Sequence, residues 1–133
     1  GYSRQSMEQK EDIKKVFSNV KEYKKLDYIA CWFYKANLFI ADTNNQFAFV
    51  TTNSICQGVQ VALLWPLLLE KKVEISFAYK SFEWKNNAKN NAGVYVIIVG
   101  LRKISNKPKF LYSINRKCIQ FMLIWIYSFL IET

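Results

Sequence analysis

The sequence predicts an α/β fold in which helices flank a sheet and the last strands run antiparallel. Three observations predict it. Helical and strand patterns alternate along the chain, a 51% apolar composition supplies a core, and no helical pattern separates the last two strand patterns. A chain of 133 residues is long enough for one domain with its own core.

Three segments are predicted to be helical. The first begins at a Ser6 cap and places apolar residues at 13, 16 and 17. The second, 26–41, is apolar nearly all round and is therefore expected to pack on two sides. The third, 57–72, contains Pro66, which predicts a kink or a restart. Its spacing selects a face formed by Val59, Ala62, Leu63 and Leu67.

Three strands are predicted from the periodicity of apolar residues. Residues 47–52 are aromatic and β-branched, as in a buried strand. Residues 73–78 alternate, which indicates one more exposed face, and residues 94–101 are continuously apolar like a central strand.

The net charge of +9 is concentrated in one part of the chain. Residues 80–117 carry nine Lys or Arg against one Glu, whereas residues 1–79 carry ten basic and eight acidic side chains. Such a local field attracts polyanions, namely nucleic acid or an anionic membrane surface. Histidine is absent, which removes the commonest general base and metal ligand from any mechanism within this chain.

The three cysteines, Cys31, Cys56 and Cys118, lie far apart without a CxxC pair. This spacing favours neither a metal site nor a disulfide framework. We interpret them as buried apolar side chains, and their odd number suits a reducing cytoplasm, where we expect the protein. The first residues run directly into charge, unlike a signal peptide.

Residues 80–91 are predicted to form a polar, basic loop that leads into the last strand. Its aromatics, Phe82 and Trp84, are of the type that stacks on an unpaired base, and its lysines of the type that neutralises phosphates. The alternative is a solvated loop whose aromatics turn into the core.

Five ordered blocks carry a family resemblance. They are Glu8-Gln-Lys-Glu-Asp-Ile13, Leu26-Asp-Tyr-Ile-Ala-Cys-Trp-Phe-Tyr-Lys-Ala36, Ala48-Phe-Val-Thr-Thr-Asn-Ser-Ile-Cys-Gln-Gly58, Leu64-Trp-Pro-Leu-Leu68 and Phe77-Ala-Tyr-Lys-Ser-Phe-Glu-Trp-Lys-Asn-Asn-Ala88. Across roughly residues 3–103 the chain resembles the γ-class N6-adenine DNA methyltransferase domain of type IIL restriction-modification enzymes. The resemblance implies part of a class I (Rossmann-like) methyltransferase sheet. The three predicted strands would be strands five, six and seven, with strand seven antiparallel between the other two.

For function, the resemblance implies methylation of the exocyclic amine of adenine by S-adenosylmethionine, on double-stranded DNA from which the adenine is flipped. The family's Asn-Pro-Pro-Tyr/Phe tetrapeptide and its Gly-rich cofactor turn do not occur in these 133 residues. We therefore assign no catalytic residue here. We expect a fragment that is inactive alone, binds the cofactor weakly, and has the missing N-terminal half of the domain as its partner.

The resemblance also implies a set of site residues, because the family binds the target base between strands six and seven. Phe82 or Trp84 would stack on the base while the other packs into the sheet, unless both belong to the core. Lys80, Lys85 and Lys89 would contact phosphates, and Asn86 would hydrogen-bond near the base. A solvated surface and a turn explain the same lysines and asparagine.

Thr52, Asn53 and Ser54 end the first predicted strand, at the edge where open α/β sheets bind ligands. Helix capping is the equal alternative for these three residues. Gly58 is expected to supply backbone freedom rather than to bind a cofactor.

The chain is predicted to divide into residues 1–106, the C-terminal half of the catalytic domain, and 107–133, an apolar tail of uncertain origin. Residues 119–131 fall short of the about 20 apolar residues that span a bilayer, so membrane insertion is not expected. A basic segment before an apolar one is nevertheless typical of an interfacial anchor. The alternative function is therefore a small basic membrane-peripheral or nucleic-acid-binding protein without catalysis, and a third is a remnant without activity. An unpaired sheet edge predicts self-association.

Overall fold

The computed structural model describes residues 2–70, 72–84 and 93–113, together with the backbone path of 116–121. Three of the candidate DNA contacts, Lys85, Asn86 and Lys89, lie outside the described residues. The end of the predicted tail, 122–133, also lies outside them, and with it most of the predicted interfacial anchor.

One mixed sheet organises the fold, with the strand order β1-β3-β2-β4-β5. β3 pairs antiparallel with both β1 and β2, which confirms the predicted antiparallel arrangement. β4 adds parallel to β2, and β5 adds antiparallel to β4. The strands are β1 Gln46–Thr52, β2 Val73–Trp84, β3 Val94–Lys103, β4 Lys109–Ser113 and β5 Arg116–Phe121.

Three α-helices form where the sequence predicted them, α1 Met7–Phe17, α2 Ile29–Ile40 and α3 Gly58–Leu69. A reciprocal cap begins α1. The Gln9 amide donates to Ser6 Oγ over 3.2 Å, and the Ser6 amide donates to Gln9 Oε1 over 3.0 Å. The cap satisfies two amides that the first helical turn would otherwise leave without a partner.

The core lies between the helices and one face of the sheet. Phe33 of α2 and Trp65 of α3 are fully buried, with ring centroids 6.0 Å apart, and Phe33 also meets Phe49 of β1 edge-on. Aromatic side chains of this size dominate core energetics. The buried Asn37 amide donates to the Leu68 carbonyl over 3.0 Å and so ties α2 to α3.

The buried face of α3 differs from the predicted one. Gln60, Leu64, Trp65 and Leu68 are buried, whereas Val59 is 44% exposed. The helix is apolar nearly all round, so spacing alone does not select a face. Gln60 contributes to the choice, because its side chain accepts from the Asp27 amide over 3.1 Å and donates to the Lys25 carbonyl over 2.8 Å. The helix continues through Pro66.

Two strands also differ from prediction in their burial. β1 was expected to be buried, but it is an edge strand of the described sheet, and its outward residues Ala48, Val50 and Thr52 are exposed. β2 was expected to have a more exposed face, yet residues 73–76 are all buried. The two polar residues of this segment, Glu74 and Ser76, tolerate burial because both have partners. Ser76 Oγ, for example, donates to the Gly100 carbonyl over 3.1 Å.

α2 was expected to pack on two sides, but among the described residues one of these sides is exposed. Trp32 is 55% exposed and Phe39 is 75% exposed. The reason is that the sheet, α1 and α3 all lie against the opposite side of this helix, where Cys31, Phe33 and Asn37 are buried.

The face of the sheet opposite the helices carries an aromatic cluster that holds β4 to β2. The rings of Tyr79 and Tyr112 stack with centroids 4.7 Å apart, and Phe77 meets Tyr112 edge-on at 6.4 Å. Gly100 on β3 makes room for this cluster, because a Cβ there would overlap the Phe77 ring. β4 thus brings residues beyond 106 into the sheet, while the predicted division of the chain at that residue stays a prediction.

The described helices include none that combines the length and the apolar content needed to cross a bilayer.

Candidate nucleic-acid interface

Two of the predicted site segments meet at one end of the sheet. Val96 on β3 pairs with Thr52 of β1 on one side and with Phe82 of β2 on the other. Two strand spacings place the Thr52 and Phe82 backbones about 10 Å apart. Partners in such a row point to the same face of the sheet. The strand-end residues and the aromatic pair therefore share a surface, which sequence separation alone does not reveal.

The aromatic pair lies on a strand rather than in a loop. Residues 80–84 were predicted to begin the loop, but β2 continues to Trp84, because Phe82, Glu83 and Trp84 pair in register with β3. Aromatic side chains favour extended backbone, and this propensity extends the strand. A register shift between Tyr79 and Phe82 sets the last part of the strand against Val94 and Val96.

The two aromatic side chains have different environments. Trp84 is 53% exposed, whereas Phe82 is half-buried. Their ring centroids lie 6.5 Å apart with the planes tilted by 45°. This arrangement leaves the indole available for a planar ligand while the Phe82 ring supports it from the sheet.

The turn after β1 is built from short polar side chains. The hydroxyl groups of Thr52 and Ser54 lie within hydrogen-bonding distance of each other, at 2.8 Å. A 3₁₀ turn, Asn53–Cys56, follows, and Trp65 Nε1 fixes it by donating to the Ile55 carbonyl over 2.9 Å. The N-cap of α3 is Gln57, so the capping alternative for Thr52, Asn53 and Ser54 does not apply to that helix.

Gly58 begins α3 with φ of +48°, and a Cβ there would meet nothing within 4 Å. The position thus selects glycine for its backbone conformation, as predicted. Among the predicted phosphate contacts, Lys80 is described, and it is exposed on β2.

Glu74 is a buried acidic residue whose role the sequence did not reveal. One oxygen accepts from Arg102 Nε over 2.9 Å, and the other lies 2.8 Å from Lys109 Nζ. Arg102 and Lys109 were counted in the basic patch, yet both side chains are ion-paired with the single Glu74 carboxylate, and Lys109 is 7% exposed. The only sign of it in the sequence is a single Glu within the mostly apolar segment 73–78. Its partners could not be identified from the sequence, because they lie on two other strands.

The pKa of Glu74 follows from this arrangement. Burial alone would raise it, but hydrogen bonds from Lys109, Arg102 and Ser105 outweigh burial and lower the pKa below its ordinary value. The ion pair is therefore charged at neutral pH and links β2, β3 and the start of β4.

The described thiols are buried and make poor nucleophiles. Burial raises the pKa of Cys31 to about 11 and that of Cys56 to about 12. Within the ranges that the structure describes, no group of three or more His, Cys, Asp or Glu side chains is arranged to hold a metal ion.

Comparisons with known proteins agree on one family. The family described as "MmeI, DNA-methyltransferase domain" matches residues 1–113. A curated relative, DNA methyltransferase A of Bacillus subtilis (strain 168), is 49% identical over 107 residues, which is 80% of this chain and 12% of the relative.

A solved structure gives the same result. The type IIL restriction-modification enzyme MmeI in complex with DNA superposes with a TM-score of 0.80 and 41% identity, over 91% of this chain and 17% of that one. The chain thus spans a small part of either relative. The match of fold and sequence over most of these residues shows that the chain belongs to the family of MmeI-like DNA-methyltransferase domains.

Proposed function

We propose that this chain forms the target-base side of an adenine-N6 DNA methyltransferase, in which Trp84 stacks on an adenine flipped out of duplex DNA. The observation that carries the proposal is the exposed indole of Trp84, which shares a sheet face and a sheet end with Thr52. A flipped base needs an aromatic platform beside hydrogen-bonding groups. The solved relative is a complex with DNA, which supports DNA as the partner.

The other candidate residues have supporting roles in this proposal. Phe82 supports the indole from the sheet. Lys80 lies on the same strand, and its positive charge attracts the DNA backbone. Thr52, Asn53 and Ser54 offer two hydroxyl groups and one amide to the edge of the base or to a phosphate. Lys85, Asn86 and Lys89 follow Trp84 in sequence, and we propose them as further contacts to DNA.

S-adenosylmethionine is the methyl donor that the family implies. The Thr52–Ser54 turn fits this donor poorly, because its side chains include no carboxylate of the kind that holds a ribose diol. We therefore assign this chain no contact with the donor, and propose that it binds the base while the rest of a class I methyltransferase supplies the methyl group.

Binding to a duplex with one unpaired adenine tests the stacking role. Trp84→Ala should weaken binding of the adenine-bulged duplex by about tenfold, since stacking is worth about 1–3 kcal/mol per base. Trp84→Phe should retain most of the affinity. Trp32→Ala is the matched control, because Trp32 is similarly exposed but lies on α2. Equal losses for Trp84→Ala and Trp32→Ala would refute the stacking role.

A comparison of bulged bases tests whether the surface prefers adenine. The same duplex with a bulged thymine or cytosine should bind less tightly than the adenine bulge, if this surface reads adenine. Incubation of the chain with S-adenosylmethionine and DNA should yield no methylated product. Reproducible methyl transfer would contradict the assignment of the chain as one side of the site.

A further inference from the structure

A basic pocket lies at the corner of the sheet where β1 begins and β3 ends. Its volume is about 540 Å³, within the range of small-molecule sites. The pairing of Gln46 with Arg102 brings its two walls together. The corner is far from Trp84, because β3 rises about 3.3 Å per residue and its two ends, Val94 and Lys103, are therefore about 30 Å apart.

The pocket has an excess of positive charge. Arg102, Lys103 and Lys107 line it, and its lining includes no acidic side chain. The Glu74 carboxylate behind it balances one of its two partners, Arg102 and Lys109, so that this buried group retains one net positive charge. Neither Lys103 nor Lys107 has an ion-pair partner among the residues that the structure describes.

The pocket is shaped by internal hydrogen bonds. Arg102 Nε is held by Glu74, and Arg102 Nη2 donates to the carbonyls of Lys107 over 2.7 Å and Pro108 over 3.1 Å. The Ser105 amide and hydroxyl also donate to Glu74 Oε1, each over 3.1 Å. The loop that carries Lys107 is therefore fixed, which reduces the ordering cost of binding a ligand.

We propose that this corner binds a phosphoryl group. Lys103 and Lys107 supply charge, and the side-chain amides of Asn44 and Gln46 supply hydrogen bonds. Ile104, which is 57% exposed, offers an apolar surface to the sugar that carries the phosphate. The phosphodiester backbone of DNA is the source that we favour, and this choice rests on the proposed function. A free phosphate or nucleotide has the same chemistry.

Two measurements on the 133-residue chain distinguish these sources. One is the slope of log K against log salt for a fully paired 20-bp duplex, and the other is the NMR shift of the Gln46 and Ser105 amides on titration with inorganic phosphate. Lys103→Gln with Lys107→Gln removes the proposed contacts. Lys14→Gln with Lys15→Gln, two exposed lysines of α1, removes the same charge elsewhere. Circular dichroism verifies that both variants fold.

The DNA source predicts that the corner variant lowers the magnitude of the salt slope by about 2, since each phosphate contact contributes about 0.9. The α1 variant should lower it by less than half as much. If the corner variant leaves the salt slope unchanged but loses the amide shifts caused by inorganic phosphate, the corner binds a free phosphoryl ligand instead of DNA. If neither measurement differs between the two variants, the proposal is wrong. The two proposals can fail separately. If Trp84→Ala and Trp32→Ala weaken binding equally, but the corner variant still lowers the salt slope, only the stacking role is overturned.

Discussion

Glu74 on β2 and Lys109 at the start of β4 form an ion pair of 2.8 Å in which each side chain is 8% exposed. With Arg102 of β3, the pair joins three strands through one carboxylate. Charges buried to this extent stabilise a fold only while each has its partner. The consequence is a strong dependence of stability on a single residue.

Glu74→Gln should destabilise the chain by about 3–5 kcal/mol, because it leaves the buried Lys109 and the partly buried Arg102 without a counter-charge. Urea unfolding followed by circular dichroism measures the loss. The control is Glu70→Gln at the exposed end of α3, which should change the free energy of unfolding by less than about 0.5 kcal/mol. Equal effects of the two substitutions would contradict a structural role for the ion pair.

Acid should destabilise the wild-type chain more than the Glu74→Gln variant. The pKa of Glu74 is lowered in the folded state, so its contribution to stability is complete above the ordinary value of about 4.5 that it has in the unfolded chain. It is lost as the pH falls through the lower, folded pKa. Urea midpoints between pH 7 and pH 3 measure this, and parallel curves for the two proteins would exclude Glu74 as the titrating group.

Cys31 and Cys56 should resist alkylation at pH 7.5 until the chain unfolds. Their thiolates are scarce, because burial raises the two pKa values to about 11 and about 12. Mass spectrometry after iodoacetamide treatment, with and without urea, identifies each labelled cysteine. Rapid labelling of either residue in the native chain would show that its surroundings open readily.

Gly100→Ala should destabilise the chain by about 1–3 kcal/mol, because the added methyl group displaces the Phe77 ring from its contacts with Tyr79 and Tyr112. Thermal unfolding measures the effect. Phe77→Leu in the same chain should recover part of the loss, since a smaller side chain accommodates the methyl group. Additive losses in the double variant would mean that the two residues do not compete for space.

Much of the fold was predictable, because periodicity reports which residues are apolar and how they are spaced. The three helices and the first three strands follow from such patterns. The face of α3 does not, since its apolar residues surround the helix and the choice depends on where Gln60 finds backbone partners. The exposed side of α2 is also invisible to sequence, because an apolar residue does not indicate which part of a protein covers it.

The sequence indicates which residues to consider for the candidate site, but not how the strands arrange them. Phe82 and Trp84 carry a recognisable aromatic signal, yet their place on β2 depends on pairing with β3. Counting charges along the sequence did not reveal that Arg102 and Lys109 share the Glu74 carboxylate, which lies on a separate strand. The corner pocket requires Gln46 and Arg102 to be neighbours, which only the β1–β3 register brings about.

The central position of β3 has a consequence for synthesis on the ribosome. β1 ends at Thr52, but the strand that pairs with it begins at Val94, and β2 also pairs along that late strand. Until β3 leaves the exit tunnel, two nascent strands expose unpaired backbone and apolar side chains. Slow translation through this interval should therefore increase capture by chaperones and aggregation of the nascent chain.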